Sequence, residues 1–393
     1  MKHTIIRIIL FILLTTFPFQ LGFTKEDPNF NILFETYGIV KTQYVEKDTN
    51  DQTLIYGAIK GLLESLDDQY TRFLEPTANS EMKIRLDGEF YGVGIQIGIK
   101  DKQLTVIAPI EDTPAFKAGI KAKDKIIKID GKDTKGISLT EAVSKIRGEK
   151  GTKVVLTVLR PTNDPPKEMD IPIIRDTIKL KSITNAKTIT SNIGYFRIST
   201  FESKQMIKEM TKVIKNFQKE KMLGLIIDVR DNGGGLLYNA IMASSFFLEN
   251  GKDIVHTVGR NRKLETKRAV NINPKYKKPI IVIVNGNSAS ASEIFAGAIS
   301  DNGRGIVMGS KTFGKASVQN IRELTDGSAV LITIAKYLTP TERDISKVGI
   351  APDLEVKIPT KNLEEIKSPD YIYTEETDFV LQEAIQVMKE IIY

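Results

Sequence analysis

Two short turns rich in glycine and asparagine restrict this chain more than any other feature, because each lies between a strand-like and a helix-like run. Residues 279–284 are apolar and mostly β-branched, break at Asn285-Gly286-Asn287, and pass into Ser288-Ala289-Ser290-Ala291-Ser292-Glu293 at the head of a helical pattern. Residues 224–230 read likewise as a buried strand and end in Asp231-Asn232-Gly233-Gly234-Gly235. Strand, loop and helix units recur from Ile193 to Ile358, which indicates a mixed α/β core. A serine on the first turn of such a helix stands beside unpaired backbone N–H groups, the donors an oxyanion needs.

Ser290-x-x-Glu293 also fits the capping box that begins many ordinary helices, and taken alone that reading comes first. A nucleophilic serine needs a base. The chain has two histidines, His3 in the leader and His256 in a strand-like stretch at 253–258, so a Ser-His-Asp arrangement would rest on His256. There is no cysteine. The other conventional base is a lysine whose pKa is lowered by desolvation. Lys315 has a distinctive setting, Thr312-Phe313-Gly314-Lys315-Ala316-Ser317-Val318-Gln319, flanked by small and aromatic residues rather than other charges.

Ser288 through Glu293, followed by Phe313 through Gln319, resembles the signature of the C-terminal processing (tail-specific) proteases, a Ser-Lys family. The similarity continues through Asp326-Gly327-Ser328-Ala329, Tyr337-Leu338-Thr339-Pro340 and Gly349-Ile350-Ala351-Pro352-Asp353. The resemblance implies that Ser290 is the nucleophile and Lys315, 25 positions on (315 − 290), its base. It further implies that Gln319 positions the lysine, Glu293 orients the site, and Ala291 supplies one oxyanion donor. Gly234 or Gly235 would supply the other. Gly233, where the family often has proline, and Ala316, where it often has glycine, depart from the pattern. The fold implied is α/β and multidomain: a crotonase-like or ClpP-like mixed protease core with an inserted PDZ domain and flanking helical segments.

The remaining segments fit that plan. Residues 88–160 read as short strands and turns with a helix capped by Ser138, and the order resembles a PDZ domain, assigned to 85–162. In such a domain Tyr91, Gly92, Val93 and Gly94 would offer backbone N–H groups to a peptide's terminal carboxylate. Residues 161–166 form a proline-rich connector, after which the strand at 169–174 is expected to lead into the protease core at 163–360. Residues 25–84 read as helical; Gly57 to Thr71 resembles the segment preceding the PDZ domain in the same protease family, which implies dimer formation, with a simple cap on the core as an equal alternative, and 361–393 reads as a closing helical segment.

Residues 1–24 carry basic residues ahead of an apolar run, the pattern of an export signal or, if uncleaved, of a membrane anchor through residues 5–23. The net charge of +7 comes mostly from dispersed lysines, and the cluster at 204–221 forms one solvated helical face, so nucleic acid is not an expected partner. No metal or organic cofactor is implied. The expected protein is an exported, periplasmic or extracytoplasmic serine endopeptidase acting on proteins with free apolar C-terminal tails. The alternative is a non-catalytic PDZ scaffold that only binds peptides.

Overall fold

Four buried parallel strands hold the functional part of the molecule, in a computed structural model that describes residues 28–110, 112–161, 167–190, 192–357 and 376–393. The leader and most of the proline-rich connector therefore lie outside the described residues. By its contacts the chain divides into two units, Met1–Leu66 and Asp67–Tyr393. The first contains helices Pro28–Gln43 and Asp51–Glu64, the second of them capped by Asn50, whose side chain accepts from the Thr53 N–H at 3.1 Å. No helix among the described residues is long and apolar enough to cross a membrane.

In the second unit, strands Ile193–Ile198, Gly224–Asp228, Ile280–Val284 and Ile306–Gly309 run parallel, in that spatial order. They read as unbroken apolar runs because both faces are covered. Phe196, Ile198, Leu225, Ile227, Val282 and Val284 face one core with helices Met206–Lys219, Leu237–Ser245 and Ala291–Asp301. The alternate residues Ile193, Tyr195, Ile226, Ile281 and Ile283 face a second core, closed by helix Phe379–Ile392 through Val380, Leu381, Ala384, Ile385 and Met388. The period of two that separates these sets is the strand's own geometry. A five-stranded sheet, in which Ala329–Leu338 pairs with Arg72–Leu74, Asp253–Gly259 and Ser317–Glu323, stands beside the parallel one.

A third sheet contains Ile95–Lys100, Gln103–Pro109, Lys125–Ile129, Lys153–Arg160 and Lys167–Ile174. Helix Leu139–Ile146 begins, as its sequence indicates, with the Ser138 hydroxyl accepting from the Glu141 N–H at 3.2 Å. One expectation is corrected here. The strand at 169–174 does not lead into the peptidase core but pairs along its length with Lys153–Arg160, from Lys153↔Ile174 to Arg160↔Lys167. Its inward residues Ile171 and Ile173 bury in the core of the third sheet, a stronger local demand than the prolines beside it signalled. The chain leaves this sheet afterwards, through Asp176–Lys179 paired with Glu89–Gly92.

The closing helix is also tied down by charge. Its N-cap residue Asp378 accepts from Arg230 at 2.9 and 2.5 Å, and Arg230 binds Asp228 in turn at 2.7 Å, all three groups being buried. Removing one member of a buried ionic network leaves charge unmatched in a low-dielectric interior, typically at a loss of about 3–5 kcal/mol. Asp378→Ala is expected to lower unfolding free energy by about 3 kcal/mol, the low end because Asp228 remains. A denaturant titration showing a loss below about 1 kcal/mol, the size of an exposed pair, would mean that apolar packing alone docks the helix.

Candidate active site

Ser290 ends the turn after strand Ile280–Val284 and begins helix Ala291–Asp301, with φ 55° and ψ −115° instead of the extended backbone of an ordinary N-cap. A positive φ is strained for a residue with a Cβ and persists only where its surroundings enforce it. The enforcement is visible in the hydrogen bonds. Ala289 N–H donates to the Asn232 carbonyl at 3.0 Å, and the Ser292 hydroxyl donates to the same oxygen at 2.9 Å. The Ser288 hydroxyl donates to the Val229 carbonyl at 2.8 Å. On the other side of the loop, the Asp231 carboxylate accepts from Asn285 at 2.8 Å and Asn287 at 2.9 Å. The glycine loop and the serine turn are thus bound to each other at both ends.

Glu293 is fully buried and links the serine to the lysine. Oε2 accepts from the Ser290 N–H at 2.8 Å and the Lys315 N–H at 2.9 Å. Oε1 accepts from the Gly314 N–H at 2.7 Å and the Thr312 hydroxyl at 2.6 Å. Burial pushes its carboxyl above the ordinary value, and these four donors act in the opposite direction. Four donors on two oxygens leave no room for a proton, so the geometry is that of the carboxylate. Tyr337, also buried, donates from the other side: its hydroxyl lies 3.1 Å from the Ser290 carbonyl and bonds the Lys315 carbonyl.

Lys315 therefore has its main chain fixed while its side chain crosses the cavity. Nζ donates to Gln319 Oε1 at 3.2 Å and lies 4.6 Å from the centre of the Tyr70 ring. Gln319 Nε2 is held by the Tyr70 carbonyl at 2.5 Å. No hydrogen bond joins Nζ to the Ser290 hydroxyl in this arrangement, although both residues line one cavity of about 420 Å³. Desolvation by burial, helped by the nearby Arg72 guanidinium, lowers the Lys315 pKa; Asp68 and Glu293 oppose that. Residues 70–72 carried no local signal of this role, since Tyr70 and Gln319 are 249 positions apart. Tyr337 was visible only as part of a motif.

The glycines occupy different positions around the serine. A Cβ on Gly234, which has φ +100°, would fall 2.7 Å from the Ala289 carbonyl oxygen, 2.8 Å from Ser290 Cβ and 2.9 Å from Ala291 N. Only glycine fits there. Its own N–H is donated to Asn232 Oδ1 at 2.9 Å. Gly235 packs against Phe201 and Glu202, where a Cβ would meet main-chain atoms at 2.2–2.5 Å. The N–H groups of Gly235 and Ala291 have no acceptor among the described residues. Ala291 is the first residue of its helix, so its N–H points out of the helix end.

His256 stands elsewhere, buried in strand Asp253–Gly259, with Nδ1 2.9 Å from the Thr266 hydroxyl and Nε2 3.1 Å from the Pro340 carbonyl. Both ring nitrogens are used, and His256 does not line the cavity of Ser290 and Lys315.

Of the four residues expected to receive a peptide, Val93 and Gly94 line a small groove of about 60 Å³ with Phe90, Ile95, Val143 and Ile146. A Cβ on Gly94, at φ +80°, would come within 2.5 Å of the Thr113 side chain. Gly92 pairs with Asp176. Tyr91 is half exposed and not part of the groove wall; the alternation of the strand turns Phe90 into the groove instead, beneath Arg147 at 4.6 Å.

A parallel-sheet core with a serine at a helix start, joined to the third sheet with its helix-flanked groove, defines a peptidase with an appended peptide-binding domain. Comparison with known proteins agrees. Residues 192–356 match the model of peptidase family S41, residues 81–159 that of the PDZ domain, and residues 22–78 that of the activating protease CtpB N-terminal domain. The carboxy-terminal processing protease CtpA of Bacillus subtilis (strain 168) is 38% identical over 85% of this chain and 70% of its own. A carboxyl-terminal-processing protease of Synechocystis sp. is 36% identical over 90% of this chain and 86% of its own. A putative S41 protease from Bacteroides fragilis shares the fold, with TM-score 0.53 at 13% identity over 90% of this chain and 96% of that one. The chain belongs to peptidase family S41, among the carboxy-terminal processing serine proteases.

The lowered pKa of Lys315 has a sign that can be tested. Between its folded value and the ordinary value of 10.5 the unfolded chain binds more protons, so this group's contribution to stability rises with pH. Its burial is most unfavourable at low pH, and the penalty fades as pH rises towards 10.5. Lys315→Met, similar in length without the charge, is expected to melt higher than the parent, with the gap largest at acid pH and shrinking as pH rises. Thermal melts across pH are the check, and a pH-independent gap would show that the lysine is not desolvated.

Proposed function

We propose that the protein is an exported endopeptidase that holds unstructured C-terminal tails in its PDZ groove and cuts peptide bonds at Ser290 with Lys315 as base. The observation that carries this is the Glu293 carboxylate, bound to the main-chain N–H groups of both residues and so fixing serine and lysine on one cavity. In the acylation step the neutral Lys315 amine takes the Ser290 proton as the oxygen attacks the scissile carbonyl. The N–H of Ala291 and an N–H from the Gly234–Gly235 loop hold the oxyanion. The resulting ammonium returns its proton to the leaving amine, and water then releases the acyl group. Gln319 aims the amine and Glu293 sets the spacing of the two main chains.

The PDZ part of the proposal is supported by the apolar groove at Val93, Gly94, Ile95, Val143 and Ile146, which suits an apolar tail added as a strand beside Ile95–Lys100. Export rests on the leader pattern of residues 1–24, with membrane association through residues 5–23 if it is retained. A homodimer is supported by exposed Ile32, Leu33, Phe34 and Leu62 in the first unit. Cell fractionation and sedimentation of the full chain test those parts; a cytosolic or strictly monomeric protein would overturn them. A scaffold without catalysis is disfavoured by the intact hydrogen bonding around Ser290 and Lys315.

Lys315→Ala is expected to abolish cleavage of peptides with apolar free C-termini while the fold persists, and His256→Ala to cleave normally. A dead histidine variant beside an active lysine variant, read by mass spectrometry, would refute the assignment. Amidating the terminus of a bound peptide removes a charged acceptor and is expected to weaken binding by about 1.5–3 kcal/mol in calorimetry. Equal affinity for acid and amide would sink the tail-binding reading.

A further inference from the structure

Of the hydroxyls on the wall of the Ser290 cavity that no step above uses, those of Ser199 and Thr200 have partners and that of Ser317 has none among the described residues. Ser317 opens strand Ser317–Glu323 and lines the cavity with Ser290, Lys315 and Gln319. Its Oγ is buried and has no hydrogen-bond partner among the described residues. Buried hydroxyls without partners are uncommon and call for a reason. Ser317 lines the same cavity as Gln319, the residue that now accepts from the Lys315 amine at 3.2 Å, across the irregularity in strand pairing between Val318 and Gln319. Ser317 therefore lies in sequence and on the strand between the amine's base and its present acceptor.

The needs of the amine supply the reason. A neutral lysine acting as base directs its lone pair at the serine hydroxyl and keeps two N–H donors, and the ammonium formed has three. In the resting arrangement Gln319 Oε1 takes one donor and the Tyr70 ring faces the amine at 4.6 Å. A ring face is a poor substitute for an oxygen once the amine moves off it towards Ser290. We propose that the Ser317 hydroxyl is the second acceptor for the Lys315 amine in the acylating arrangement, a positioning residue that turns the lone pair onto the Ser290 proton. This rests on the Ser290–Lys315 reading of the active site.

Other groups facing the amine do not provide that acceptor. Arg72, from strand Arg72–Leu74, is a cation; Asp68 and Tyr70 approach from the preceding loop. Glu293, from the serine helix, is occupied by four donors, and Tyr337, from strand Ala329–Leu338, directs its hydroxyl to main-chain carbonyls. The Asp68 carboxylate already accepts from the Tyr70 N–H and the Thr71 hydroxyl. Of the buried hydroxyls without a partner among the described residues, Ser317 lines the cavity and Thr333, opposite Gln319 on the neighbouring strand, does not.

The test uses the full chain with Ser317→Val and Ser317→Thr, which have nearly the same shape and differ in the hydroxyl. Phosphonylation of Ser290 by a fluorophosphonate probe, in which the serine oxygen displaces fluoride from phosphorus, and kcat and KM on a peptide, are followed from about pH 6 to pH 10, a range chosen to bracket a lysine pKa lowered by desolvation. Ser317→Val is expected to lose about tenfold or more in kcat with KM little changed. Its pH midpoint should move down, because an acceptor favours the ammonium over the amine and its loss favours the amine. Ser317→Thr should restore both rate and midpoint. A valine variant with the parental rate and midpoint overturns the proposal, as does a threonine variant as impaired as the valine one. Lys315→Met is run in parallel: if it still reacts, the Ser290–Lys315 reading itself fails, whereas an inactive Lys315→Met with a normal Ser317→Val removes only the role of Ser317.

Discussion

The arrangement depends on one buried carboxylate. Glu293 is the third residue of its helix, where an acidic side chain can reach back to the N-cap N–H and is favoured by the helix dipole. That local preference explains one of its four hydrogen bonds. The other three, to Thr312, Gly314 and Lys315, tie a distant loop to the same two oxygens. A buried carboxylate with fewer donors would be expensive to keep ionised, so the loop is needed by the carboxylate as much as the carboxylate is needed by the loop. This mutual requirement sets the distance between the serine and lysine main chains without either side chain taking part.

That explains why the capping reading and the nucleophile reading of Ser290-x-x-Glu293 are not rivals. The Glu293 side chain accepts from the Ser290 N–H as in a capping box, but the serine backbone is at φ 55°, outside the usual N-cap range. The sequence pattern for a common helix start is used here to hold an uncommon backbone. Much of the surrounding fold was legible for similar reasons. Strand Ile193–Ile198 and helix Phe379–Ile392 fall where apolar period and length indicate, because each buries a continuous apolar face. The serine, the lysine and the glycine loop, singled out by the family resemblance, line one cavity.

What escaped the sequence has a common cause in long-range pairing. Tyr70 reaches Gln319, Tyr337 joins the main chains of Ser290 and Lys315, and Asp378 reaches Arg230 across 148 positions. None of these contacts leaves a mark in local periodicity, since each is decided by which strands become neighbours. The strand Lys167–Ile174 was misjudged for the opposite reason: proline-rich composition next to it resembles a boundary, whereas hairpin pairing over eight positions decides where it belongs. Tyr91 and Phe90 differ by one residue and hence by one face, a distinction that needs the register of Glu89–Gly92 against Asp176–Lys179.

The setting of Lys315 is a balance, and both sides of it suit the role of base proposed for it. Burial and Arg72 favour the neutral amine, which alone can take a proton; Asp68, Glu293 and the Tyr70 ring face favour the ammonium. A lysine driven too far towards neutrality would be mostly deprotonated but a feeble base, and one left at its ordinary value would be a strong base that is almost always blocked by its own proton. In the proposed mechanism the anionic groups would also stabilise the ammonium formed when Ser290 is deprotonated, keeping the proton available for the leaving amine. The same carboxylate that fixes the spacing of the two residues also limits, after Asp68, how far the lysine's pKa falls, so one side chain bears on both geometry and basicity.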